Sequence, residues 1–236
     1  MINIGLSAPK ETCTLPDFPL EVYGAVGFDT DQGPTVCGGY SNSGKVITKE
    51  CYTLLSNGWT ESSPMSTSRL FASAINIDST EALILGGYDE NSRVLKSSEV
   101  MSANGAKKGI DLPVTMAGHC TLKGSKRRGL IGGGNQDGSV SSKTYYLDLD
   151  TMEFTPGPSM QTARGNHGCA ALHLGGKTYG IMTGGYNGNW YTGELDSTEF
   201  LAFDQPNPTW TDGKQNNFKN SLKLKSTFLN FRTKIA

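Results

Sequence analysis

The sequence predicts an all-β fold made of four repeated antiparallel sheets. Three observations carry that prediction. Four glycine pairs recur at near-constant spacing, each at the end of an apolar run. The same polar, aromatic and proline-methionine marks follow each pair in the same order. Thirty of 236 residues are glycine, about 13% against a usual value of roughly 7%, with no collagen period, so the excess belongs to turns.

The pairs are Gly38-Gly39 in VCGGY, Gly86-Gly87 in LILGGY, Gly133-Gly134 in GLIGGG and Gly184-Gly185 in IMTGGY. Their second members follow one another at 48, 47 and 51 residues. The apolar run before each pair reads as a buried strand. Tyr40, Tyr88 and Tyr186 directly follow three of the pairs. After a polar loop comes another strand: KECYTLL at 49–55, SSEVMS at 97–102, KTYYLDL at 143–149 and STEFLAF at 197–203. A large apolar residue follows each (Trp59, Ile110, Phe154, Trp210). Then come Pro64-Met65, Pro113 with Met116, and Pro158 with Met160. Three repeats run on into a further strand at 68–77, 116–124 and 163–174, two of them opened by Arg69 and Arg164.

A period of about 50 residues holding four short strands suits one blade of a β-propeller, which buries its faces only by stacking on neighbours. The glycine pairs let a strand end approach the packed neighbour closely, and the tryptophans are expected to fill space between blades.

The glycine pairs, the downstream Glu99, Tyr145 and Glu199, the tryptophans, the proline-methionine segments and the Arg164-to-Gly168 start together resemble the kelch repeat. The resemblance covers roughly residues 20 to 213. The second repeat departs most: it has no Trp, and Ala117-Gly118-His119 stands where the Arg start is expected. The resemblance implies a kelch-type β-propeller of about four blades, each of four antiparallel strands, near 20–66, 67–113, 114–162 and 163–213. An N-terminal segment, 1–19, precedes them, and a basic non-repeat tail, 214–236, follows.

Four blades are few, because kelch propellers resemble six- or seven-bladed rings. Three readings fit: an incomplete propeller, an open arc that oligomerises, or closure by a strand from the tail. The first is preferred, since an open arc leaves strand edges unprotected.

Net charge is −1, from 21 basic and 22 acidic residues, which offers no general attraction to nucleic acid or a membrane surface. The tail carries six basic residues and no acidic ones, leaving 15 basic and 22 acidic elsewhere. No apolar run reaches the roughly 20 residues of a transmembrane helix. The start lacks the pattern of a signal peptide. The expected compartment is therefore cytoplasmic, or extracellular if a leader precedes this start.

The five cysteines are Cys13, Cys37, Cys51, Cys120 and Cys169. With no C-x-x-C and three histidines, neither a zinc site nor any other metal or cofactor is expected. Cys37 and Cys51 stand on strands joined as a hairpin and are placed to form a disulfide. Cys120 and Cys169 occupy matching places in adjacent repeats. The alternative is a set of small buried hydrophobes with free thiols. The CGG…CY arrangement is similar to that of secreted kelch proteins and favours a bridge.

Function is expected in the loops after the glycine pairs, because loops on a rigid scaffold carry binding. The candidates are Tyr40, Tyr88, Trp190 and Tyr191, with Arg69 and Arg164 at the channel or its mouth. The expectation is a protein-interaction module without catalysis and with a protein partner. Two alternatives stand beside it. One is a copper oxidase of the galactose-oxidase type, which the resemblance brings in and for which His119, His167 and His173 are the only histidines. The other is a truncated product without stable function.

Overall fold

The computed structural model describes residues 15–124, 127–189, 192–203 and 205–213. The described residues are all-β, with six small antiparallel sheets of three or four strands. Four sheets have four strands each, and in each the strands lie side by side in chain order. The first comprises Val26–Thr30, Gly33–Cys37, Cys51–Leu55 and Gly58–Ser62. The second comprises Ser73–Asn76, Ala82–Leu85, Ser98–Ser102 and Gly105–Lys108. The third comprises Cys120–Lys123, Arg128–Gly132, Thr144–Asp148 and Glu153–Pro156. The fourth comprises Gly168–Leu174, Lys177–Thr183, Thr198–Ala202 and Thr211–Asp212. Each glycine pair follows the second strand of its sheet.

The segment after each pair folds back on the segment before the first strand. In the first and third sheets this makes a small three-stranded sheet: Val22–Tyr23 with Tyr40–Ser41 and Val46–Ile47, and Met116–Ala117 with Asn135–Gln136 and Ser139–Val140. In the second and fourth it shrinks to bridges, Leu70 to Tyr88 to Val94 and Gly165 to Tyr186 to Glu194.

The first strands of successive sheets lie against one another, first to second, second to third and third to fourth. One apolar cluster fills each junction. Val26, Met65, Ile84 and Met101 lie between the first two sheets. Ile75, Leu83, Val100, Ile131 and Leu147 lie between the second and third. Leu122, Leu130, Met182, Leu201 and Trp210 lie between the third and fourth. The strand Ala82–Leu85 is buried on both sides, as a strand in a middle layer must be. No comparable approach joins the fourth sheet to the first among the described residues, which by themselves form no closed ring.

The glycine pairs make the junctions in main-chain atoms. Gly39, Gly87 and Gly134 donate their N–H to Arg69, Met116 and Arg164 C=O of the following sheet, at 2.8, 2.8 and 2.7 Å. All eight paired glycines have φ between +59° and +93°, a region that side-chain-bearing residues avoid. A Cβ at Gly38, Gly86 or Gly133 would press into the same three carbonyls. At Gly184 it would meet only Leu195 O of its own sheet, at 3.6 Å.

A second ladder runs where the first strands begin. Phe71 N–H donates to Gly24 C=O, Gly118 to Phe71, and Asn166 to Gly118, each at 2.8 Å. All four residues are left-handed, with φ of +65°, +55°, +61° and +49° in chain order.

Two disulfides form among the described residues. Cys37–Cys51 joins the second and third strands of the first sheet, as their positions suggested. Cys120–Cys169 ties the first strands of the third and fourth sheets together. Cys13 and the basic tail lie outside the described residues. Trp210 lies between sheets and donates Nε1–H to Pro158 C=O at 2.9 Å. Trp59 has no preceding sheet to meet among the described residues. It packs edge-on against Phe18 at 4.9 Å on the outer side of the first sheet and donates to Pro16 C=O.

A candidate interaction surface where the first strands begin

Because every second strand ends, and every first strand begins, at one end of the seam, the residues after the glycine pairs gather there. Tyr40, Tyr88, Asn135 and Tyr186 occupy equivalent positions, one past each pair. Asn135 Nδ2 donates to the Tyr88 hydroxyl at 3.2 Å. Burial, and then the nearby Tyr88, raise the Tyr186 phenol above its ordinary pKa of 10.0. Tyr40 lies 5.3 Å from the Tyr23 ring, and Tyr23 lies 6.1 Å from Phe71. Leu70, beside Phe71, bridges to Tyr88 and so connects the two groups. Tyr23 is 49% exposed, and the other rings are half-buried.

Of the sequence-derived candidates, Tyr40 and Tyr88 are on this surface. Trp190 and Tyr191 lie outside the described residues. Tyr23, Phe71 and Asn135 join the surface without having been singled out. Tyr23 and Phe71 precede the first strands rather than following a glycine pair, and Asn135 breaks the tyrosine pattern.

Arg69 and Arg164 are 1% and 0% exposed and lie inside the fold. Arg69 donates to Gly86 C=O, Ser97 C=O, Ser97 Oγ and Glu99 Oε1. Arg164 repeats the set on Gly184 C=O, Ser197 C=O, Ser197 Oγ and Glu199 Oε1. Each arginine thus fastens the carbonyl of a glycine pair in its own sheet. Glu99 also accepts the N–H groups of Ser66 and Thr67, and Glu199 those of Gln161 and Thr162, which fixes the connection from the preceding sheet.

The other two sheets dispense with the whole device. Val22 and Met116 stand in place of the arginines, and Tyr52 and Tyr145 in place of the glutamates. At the position of Ser66 and Gln161 they carry Pro19 and Pro113, which have no N–H to satisfy. The carboxylate is present where the connection offers two donors and absent where proline removes one.

His119 and His167 immediately precede the first strands of the third and fourth sheets, where the others have Ala25 and Ala72. Both are buried, and their ring nitrogens have no hydrogen-bond partner among the described residues. Burial lowers His119 to about 3, helped by His167. Burial and the Arg164 charge lower His167 to about 4. Both rings are therefore neutral at pH 7. His173 lies apart, with Nδ1 3.1 Å from Thr178 Oγ1. Among the described residues, no three His, Cys, Asp or Glu side chains gather as a metal-ligand set. The surface presents aromatic rings, phenol hydroxyls and an amide side by side where the first strands begin.

The chain matches no family model and no curated protein.

Proposed function

We propose that the chain forms four blades of a kelch-type β-propeller and binds a protein partner, without catalysis, through the aromatic surface where its first strands begin. The carrying observation is the gathering of the exposed Tyr23 with the half-buried Tyr40, Phe71, Tyr88 and Tyr186 where the first strands begin. Rigid aromatic side chains with a polar tip provide large contact area at small entropic cost, and such residues dominate binding hot spots. The propeller reading is supported by four meander sheets in one repeating register and by first strands stacked in chain order. The two disulfides fit an oxidising environment such as the extracellular space.

The test is capture of a partner by immobilised protein, set against the Tyr23→Ser/Tyr88→Ser variant. That variant loses the Tyr23 ring contacts and the Asn135–Tyr88 hydrogen bond, so it is expected to melt cooperatively at a lower temperature, to stay folded at the assay temperature and to lose the partner. Equal capture by both forms removes this surface from the reading.

A further inference from the structure

We propose that the cleft between the first and second sheets is a binding site for a neutral, polyhydroxylated ligand, the chemistry of a sugar residue. The proposal stands apart from the aromatic surface, because the cleft opens beside Thr30 and Leu55, at the other end of the first sheet.

The repeat itself shows that the site is unusual. Directly opposed residues on neighbouring strands share one face of a sheet. In the second sheet the row Ile75, Leu83 and Val100 points into the core. In the third, Leu122, Leu130 and Tyr146 make the same row. In the first sheet the row is Phe28, Thr35, Thr53 and Thr60. Two threonines thus replace the Leu and the Val or Tyr that fill the other junctions. Thr35 and Thr53 are 6% and 7% exposed, and Leu83 and Leu130 are both 0% exposed.

The space those side chains would fill is open. It measures about 390 Å³, within the usual range for small-molecule sites of roughly 300–1,000 Å³. Thr35 and Thr53 hydroxyls meet at 2.9 Å on its wall. Ser62 Oγ is buried there with no hydrogen-bond partner among the described residues. Buried hydroxyls without partners are costly, and a ligand that supplies the missing bond offsets that cost. Phe28 and Met101 add apolar surface for the carbon face of a ring, and Gln32 adds an amide.

The charge pattern sets the ligand class. Glu61 is the sole charged side chain lining the cleft among the described residues, and no Lys or Arg lines it. An anionic ligand would meet no cation. Hydroxyl groups both donate and accept, so a wall of them suits a ligand that does the same.

The experiment titrates the whole protein with free neutral mono- and disaccharides by calorimetry, with sialic acid as the anionic comparison. A parallel arm presents the same sugars as protein-linked glycans, to distinguish a free sugar from a glycan terminus as the source. The variant Thr35→Leu/Thr53→Val installs the pair that the second sheet already carries, and the near-isosteric Thr53→Val is the milder second variant. The expected result is saturable binding of at least one neutral sugar in either arm. Both variants should melt no lower than wild type, with affinity reduced about tenfold or more, the size of one lost hydrogen bond. Three results would overturn the proposal: no saturable neutral sugar in either arm, tighter binding of sialic acid, or unchanged affinity in both variants.

Discussion

Replacing Arg69 with methionine tests the coupling between ion pair and connection most directly. The variant leaves the Glu99 carboxylate 3% exposed, with only the Ser66 and Thr67 N–H groups for partners. It also removes the donors that hold Gly86 and Ser97 C=O. Breaking one partner out of a buried pair costs about 3–5 kcal/mol. In a domain of this size each kcal/mol lowers the melting temperature by roughly 2–4 °C, so Arg69→Met should melt about 6–20 °C below wild type. The triple variant Arg69→Met/Glu99→Tyr/Ser66→Pro installs what the third sheet carries as Met116, Tyr145 and Pro113. It removes the stranded charge and one of the two stranded donors together. Thermal unfolding by circular dichroism should show the triple variant recovering at least half of the loss. Additive losses, with the triple variant melting below Arg69→Met, would refute the reasoning, because independent sites add and coupled ones do not.

Three more outcomes follow from the junctions. Gly133→Ala and Gly184→Ala carry the same backbone strain, at φ +67° and +66°, but only Gly133 faces a following sheet. Urea unfolding should therefore find Gly133→Ala the worse by about 2 kcal/mol, and equal losses would mean that something also packs on the fourth sheet. Removing Cys120–Cys169, which closes 49 residues, should cost about 4 kcal/mol, against about 3 for Cys37–Cys51, which closes 14, read by urea unfolding without reductant. His119 and His167 stay neutral in the fold well below 6.5, whereas unfolding lets them take up protons. Their contribution is complete above about pH 7 and is lost as pH falls from 6.5 towards 4, at on the order of 1 kcal/mol per pH unit each. Chemical unfolding across that range should flatten in His119→Ala/His167→Ala, which installs the alanine of the first two sheets.

The parts legible in the sequence were those dictated by the backbone. Glycine pairs mark positive φ and close approach whatever surrounds them, so the sheets and their order could be read. Met65 and Met160 were recognisable because each is buried in the step between two sheets, whereas in the repeat between them Leu112 holds that place and Met116 stands four residues on, at the arginine position. The Arg69–Glu99 and Arg164–Glu199 pairs were hidden by separations of 30 and 35 residues. The threonine row was hidden because an alternating Thr strand looks the same whether it faces water or a neighbour. The two tryptophans show the same limit: one pattern, but Trp210 has a sheet on its far side and Trp59 has Phe18.

The ladder through Gly24, Phe71, Gly118 and Asn166 has a bearing on descent. Its bonds use only peptide groups, and its positions have accepted glycine, an aromatic and an amide in turn. The four positions share a dihedral angle, and Phe71 and Asn166 show that the angle alone does not dictate the side chain. Copies of an ancestral unit can therefore lose nearly all likeness to one another while still docking, and the side chains so released are free to acquire new roles. Phe71 takes the same turn with an aromatic ring, which lies 6.1 Å from Tyr23.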